Sequence, residues 1–161
     1  MNDKQLYRHL HPTKEGKRTY RFTTTKEVTV RLHGILSHHP DVSFQDKDGK
    51  SWAWIMCGKI TIAKGYSWNG CSPKTYIGFP PVGKWIGTPD FDATIIPSLI
   101  HDVLFQFAEV GKYSFHNANL QFLRMMEDRQ FPLAAHYHEA VEMFGGKFWG
   151  KDKSGVKATY L

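Results

Sequence analysis

The chain has 161 residues, 41% of them hydrophobic and 14% aromatic, enough apolar material for one ordinary domain with a real core, which excludes disorder over most of its length. A formal charge of +6 favours an anionic partner, because a positive field concentrates phosphates and carboxylates. The excess sits near the ends, however, at Lys4, Arg8, Lys14, Lys17, Arg18 and Arg21 and at Lys147, Lys151, Lys153 and Lys157; no face interleaves bases with aromatics, so an extended nucleic-acid interface is not expected.

The first element expected is a half-buried strand from Tyr20 to Leu32, where the even positions read Tyr, Phe, Thr, Lys, Val, Val, Leu. Val42 to Phe44 reads as a short strand, and Asp46-Lys-Asp-Gly49 as a turn that returns it into a strand carrying Trp52, Trp54 and Met56. Gly58 breaks that strand, and Lys59 to Ala63 is another. From Gly65 to Pro89 the composition shifts to Gly, Pro, Ser, Asn and aromatics, which reads as one long loop whose length favours a binding or lid role.

Helical spacing begins near Thr94, with Leu99, Ile100, Val103, Leu104 and Phe107 on one stripe. A cap at Asp92 or Thr94 puts Pro97 in the first turn, where its missing N–H costs nothing. Gly111 stops this helix. Ser114 caps a second with Leu120, Leu123 and Met126, and Pro132 opens a third with Leu133, Tyr137, Val141 and Phe144, closed by Gly145-Gly146. Strands first and helices after predict an α+β fold, an N-terminal antiparallel β-sheet covered by about three C-terminal α-helices. The domain expected is 1–161, with the ends at about 1–18 and 150–161 flexible or peripheral.

Cys57 and Cys71 form no Cys-x-x-Cys pair, and no N-terminal apolar run reads as a signal peptide or membrane span. The expectation is a cytoplasmic protein with reduced thiols and no membrane partner.

Two segments carry the chemistry. His101 and Asp102 are adjacent beside an apolar helical stripe, about 100° apart, so both border one cavity. Three roles are open to them: two ligands of a metal completed from His116, His136, His138 or Glu139; a catalytic pair in which Asp102 orients an imidazole acid or base; or a structural unit, with Asp102 on backbone N–H groups of the Gly-rich loop and His101 a satisfied core histidine. His9, His11, His38 and His39 lie in loop-like segments with no ligand spacing, and most of them are expected in solvent. No metal or phosphate-loop signature is present, and no cofactor is expected. In the second segment, Gly65 to Pro73 (Gly-Tyr-Ser-Trp-Asn-Gly-Cys-Ser-Pro), the side chains of Ser67, Asn69 and Ser72, followed by Lys74, offer donors. Tyr66, Trp68, Tyr76 and Trp85 offer rings that stack on a base or sugar, or else seal a core edge.

These two motifs, with Ile100-His-Asp-Val-Leu104 as the second, resemble domain-of-unknown-function family 1353 of phages and prophages. That family's pattern is Gly-Phe-x-Thr-Asp-Gly-Ala-Ser-x-Pro, then Ile-His-Asp-x-Leu, then Ala-Asp-x-x-Phe, to which Ala118-Asn-Leu-Gln-Phe122 corresponds. The likeness runs from about Gly65 to Gly145 and implies a phage setting and a shared α+β fold; the family name supplies no activity. Asn69 and Asn119 stand where the family pattern has aspartates, each change removing a negative charge and a strong metal ligand and making a pocket more welcoming to an anion.

The leading expectation is therefore a phage-encoded pocket protein in the host cytoplasm that binds and sequesters a small anionic, nucleotide-like ligand, an anti-defence sponge. Its site would use Ser67, Trp68, Asn69, Ser72, Lys74, Tyr76, Lys84, Trp85, His101 and Asn119, the lysines meeting the anion and the rings stacking. Two alternatives stand beside it: a metal-dependent or His/Asp hydrolase using His101 and Asp102, and a virion or assembly component. A homo-oligomer is left open.

Overall fold

In the computed structural model, residues 2–10, 20–71, 74–77, 84–87, 90–150 and 154–161 are described. The strands are β1 (Tyr7–His9), β2 (Phe22–Thr24), β3 (Val28–Arg31), β4 (Val42–Gln45), β5 (Ser51–Met56), β6 (Lys59–Ile62), β7 (Ser67–Trp68), β8 (Lys74–Ile77), β9 (Lys84–Gly87) and β10 (Lys157–Tyr160), and the helices are α1 (Asp92–Gln106), α2 (Phe115–Asp128) and α3 (Ala134–Phe144). The strands form antiparallel sheets in the orders β1-β2-β7, β10-β4-β5-β6-β3 and β8-β9. The fold is α+β, strands before helices, as the sequence pattern predicts.

The alternating run from Tyr20 to Leu32 serves two sheets. β2 pairs with β1 and β7, whereas β3 forms one edge of the five-stranded sheet. The exposed Lys26-Glu27 pair marks the crossing. Asp46 builds the next turn as expected: its Oδ1 accepts the backbone N–H groups of Asp48 at 2.9 Å and Lys50 at 3.0 Å. On β5 it is Ala53 and Ile55 that are fully buried, opposite Ile62 and Ile60. Trp52 lies on the other face, its Nε1 donating to Asp46 Oδ2 at 2.8 Å.

Within the segment expected as a single loop from Gly65 to Pro89, the described residues form three strands. β7 completes the first sheet, and β8 and β9 form a hairpin with Tyr76 opposite Trp85. The β-branched and aromatic residues Thr75, Tyr76, Ile77, Trp85 and Ile86 suit strands, and the surrounding Gly and Pro hide that signal. Described residues from both ends take part in the sheets. β1 buries Tyr7, and β10 adds the outer strand of the large sheet, with Val156 buried before it and Tyr160 donating from its hydroxyl to Val110 O at 2.9 Å.

One core cluster joins the large sheet to α1 through Val28, Phe44, Ile55, Ile60, Ile96, Leu99, Val103 and Phe107; the Phe44 and Phe107 rings stack 5.0 Å apart. Every residue of α1 from Thr94 to His101 is buried, the mark of a helix covered on all sides. Its cap position is Phe91, and Thr94 closes the first turn from inside: its Oγ1 accepts the Phe91 N–H at 3.0 Å and its backbone N–H donates to Phe91 O at 2.8 Å. Pro97 is therefore the sixth residue of α1, past the first turn in which the sequence places it. Ser114 caps α2 as expected, its hydroxyl oxygen accepting the Asn117 N–H at 3.1 Å. The buried face of α2 is Ala118, Asn119, Gln121, Phe122, Met125 and Met126, with Leu120 and Leu123 half-buried at its margin. α3 buries Tyr137 and Val141 and leaves Leu133 exposed at its cap.

Of the four histidines expected mostly in solvent, His39 is buried, its two ring nitrogens reaching the carbonyls of Pro40 and Gly111. Among the described residues, no helix is long and apolar enough to cross a membrane.

Candidate functional site

Two of the three sequence motifs meet at the helix junction. His101 on α1 and Asn119 on α2 are in direct contact, Nε2 to Oδ1, at 2.7 Å. An amide oxygen only accepts, so His101 donates from Nε2. The rings of Phe105 and Phe122 lie 4.4 Å and 4.9 Å from the imidazole, centroid to centroid. His101 is 7% exposed and Asn119 is 0% exposed, so the pair is closed to solvent.

That environment fixes the charge state. Burial is the dominant cause that lowers the His101 pKa from 6.5 to about 4; the Asn119 hydrogen bond and Glu142 oppose the shift, and His138 adds to it. Desolvation penalises an imidazolium more than one neutral amide repays, so His101 is neutral at pH 7. The Asn119 Nδ2 donor is buried with no hydrogen-bond partner among the described residues.

Of the residues considered as further metal ligands, two meet on Glu142, within electrostatic reach of His101. His116 Nδ1 is 2.8 Å and His138 Nε2 3.3 Å from the same oxygen of Glu142, while His136 and Glu139 are exposed. Among the described residues no group of three or more His, Cys, Asp or Glu side chains is arranged to hold a metal ion. Asp102 is half-buried on the helix face beside His101.

The Gly-rich segment is distributed between core and surface. Trp68 is 1% exposed, donates from Nε1 to Ser98 Oγ at 3.0 Å and packs its ring 5.4 Å from that of Phe22 and 6.4 Å from that of Tyr7. Of the two roles open to this ring, sealing the core is the one it fills. Tyr66 is likewise buried, its hydroxyl donating to Gln106 Oε1 at 2.6 Å. Ser67 pairs with Thr23 in the sheet, and Asn69 is exposed. Ser72 lies outside the described residues, as do the side chains of Lys74, Tyr76, Lys84 and Trp85, whose backbones form the β8-β9 hairpin.

A residue that sequence reasoning missed holds the end of this segment. Asp90 accepts the Cys71 backbone N–H on Oδ1 at 2.7 Å and Arg21 Nη1 on Oδ2 at 3.0 Å. Gly70, at φ 77°, lies so close that an added Cβ would fall 2.8 Å from the Phe22 ring and collide with the Asp90 carboxylate. The signal for Asp90 is faint: it stands in a stretch that reads as loop, two residues before the helix.

No family model, curated protein or solved structure matches the chain.

Proposed function

We propose that this chain is a binding protein without catalytic turnover, which holds a small anionic, nucleotide-like molecule. The observation that carries this reading is the state of His101. A general acid or base at neutral pH works best with a pKa near the working pH, whereas His101 is buried, neutral and engaged by an amide. Such a pair serves as a lock between α1 and α2 better than as a reactive centre.

The formal charge of +6 supports an anionic ligand through long-range attraction; the setting, a sponge that withdraws a signalling molecule from the host, is part of the proposal and comes from the resemblance of the sequence motifs alone. Native mass spectrometry of protein purified from cells, followed by denaturation and identification of whatever is released, tests it. An intact nucleotide-like anion supports the proposal. A hydrolysis product, together with turnover that His101→Ala abolishes in a folded protein, replaces it with a hydrolase, and an empty, defined large oligomer replaces it with a virion or assembly role.

A further inference from the structure

A groove of about 500 Å³ runs between β3 and the C-terminal end of α2, lined by none of the candidate site residues named from the sequence. Its size falls within the range of small-molecule sites, about 300–1,000 Å³. The walls are Val30 to Gly34 and Ser37 on one side and Met125, Asp128 and Arg129 on the other.

The strand wall is held rigidly. β3 is the outer strand of its sheet, and Leu32 N–H donates inward to Gly58 O, so the backbone groups of Arg31 and His33 point outward, toward α2. There the buried Gln121 takes both: its Oε1 accepts the His33 N–H at 2.7 Å and its Nε2 donates to Arg31 O at 3.2 Å. One side-chain amide thus stands in for a neighbouring strand and fixes the backbone that carries Arg31 and His33.

The polar side chains are unevenly committed. Arg31 is exposed and makes no side-chain hydrogen bond or ion pair among the described residues. Arg129 donates from Nε to Asp3 Oδ2 at 3.0 Å, a single-oxygen contact in which Asp3 Oδ1 is buried without a hydrogen-bond partner. His33 Nε2 is 3.0 Å from Asp128 Oδ2, and its Nδ1 is buried without a hydrogen-bond partner. A guanidinium fork matches a two-oxygen anion better than one carboxylate oxygen, and a single carboxylate oxygen buried without a partner is costly to keep.

We infer that this groove is the anion site: Arg31 receives a phosphate-type group of a nucleoside-sized ligand, and Arg129 joins it by exchanging Asp3 for the ligand's oxygens. This inference rests on the binding function proposed above and gives it a location. Asp3 then acts as an internal competitor, so removing its charge strengthens binding.

Calorimetric titration of the full chain with adenosine 5′-monophosphate tests it, with thermal melts confirming that each variant is folded. Arg31→Ala is expected to weaken binding about tenfold or more, the loss of one charge-assisted contact. Asp3→Asn is expected to tighten it about threefold or more, and Lys157→Ala, which removes the same charge at the far edge of the sheet, to change it less than about twofold. Wild-type binding that Arg31→Ala and Asp3→Asn leave unchanged, or that Lys157→Ala weakens as much as Arg31→Ala does, overturns the groove and leaves the anion-binding function standing. No binding by wild type or by Asp3→Asn overturns both.

Discussion

The helix junction and the β3–α2 groove each contain a histidine, yet the two regions treat it in opposite ways. At the junction His101 meets a neutral amide in a closed, aromatic environment and is held uncharged. In the groove His33 meets the carboxylate of Asp128, retains solvent contact and has arginines beside it in the same walls. Burial and partner together decide what an imidazole does. The first arrangement stabilises a packing of helices; the second sets an imidazole with solvent contact beside the exposed Arg31.

Removing the junction should have the largest effect. His101→Ala deletes a ring packed between Phe105 and Phe122 and leaves Asn119 Oδ1 without its donor, a combination expected to cost about 3 kcal/mol in urea-induced unfolding. If the loss is under about 1 kcal/mol, the lock is not what holds α1 to α2.

The pH dependence sharpens the same contrast. The folded-state pKa of His101, about 4, is below its ordinary 6.5, so the unfolded chain binds the proton more tightly. Stability from this group is complete above pH 6.5 and is lost as pH falls toward 4, by up to about 3 kcal/mol. His101→Gln, which keeps an N–H donor for Asn119, should remove that part of the pH profile. An unchanged profile would mean that other groups carry the acid sensitivity.

A smaller effect is expected from Gly58→Ala. At φ 74° an added Cβ would lie 2.8 Å from Ser37 O, so the substitution is expected to cost about 2 kcal/mol through backbone strain and displacement of a groove-lining segment. Unfolding and nucleotide titration should therefore change together. Smallest of all, Arg31→Ala is expected to alter stability by less than about 0.5 kcal/mol while weakening the ligand, a separation that no substitution at the junction should reproduce.

The fold class was legible because periodicity reports which face is buried: the α1 stripe, the Asp46 turn and the Ser114 cap all follow from local chemistry. Less legible were contacts made at long range. β10 is a short, lysine-led tail whose partner, β4, lies more than a hundred residues earlier in the sequence, and the β8-β9 strands are hidden among turn-forming residues. The His101–Asn119 contact joins two motifs picked out in the sequence, although nothing in their spacing says that they touch. The groove was illegible for a physical reason: Arg31, Gln121, Arg129 and Asp3 come from three distant segments, and each alone reads as an ordinary surface or helix residue.

Chemical-shift mapping by NMR during titration with adenosine 5′-monophosphate is the most direct test of the division between lock and binding surface. Shifts clustered at residues 30–37 and 125–129, with the Asn119 side-chain amide and the His101 ring unmoved, are the predicted result. Shifts centred on Asn119 and His101, with Arg31 and Arg129 silent, would contradict it and make the junction the ligand site.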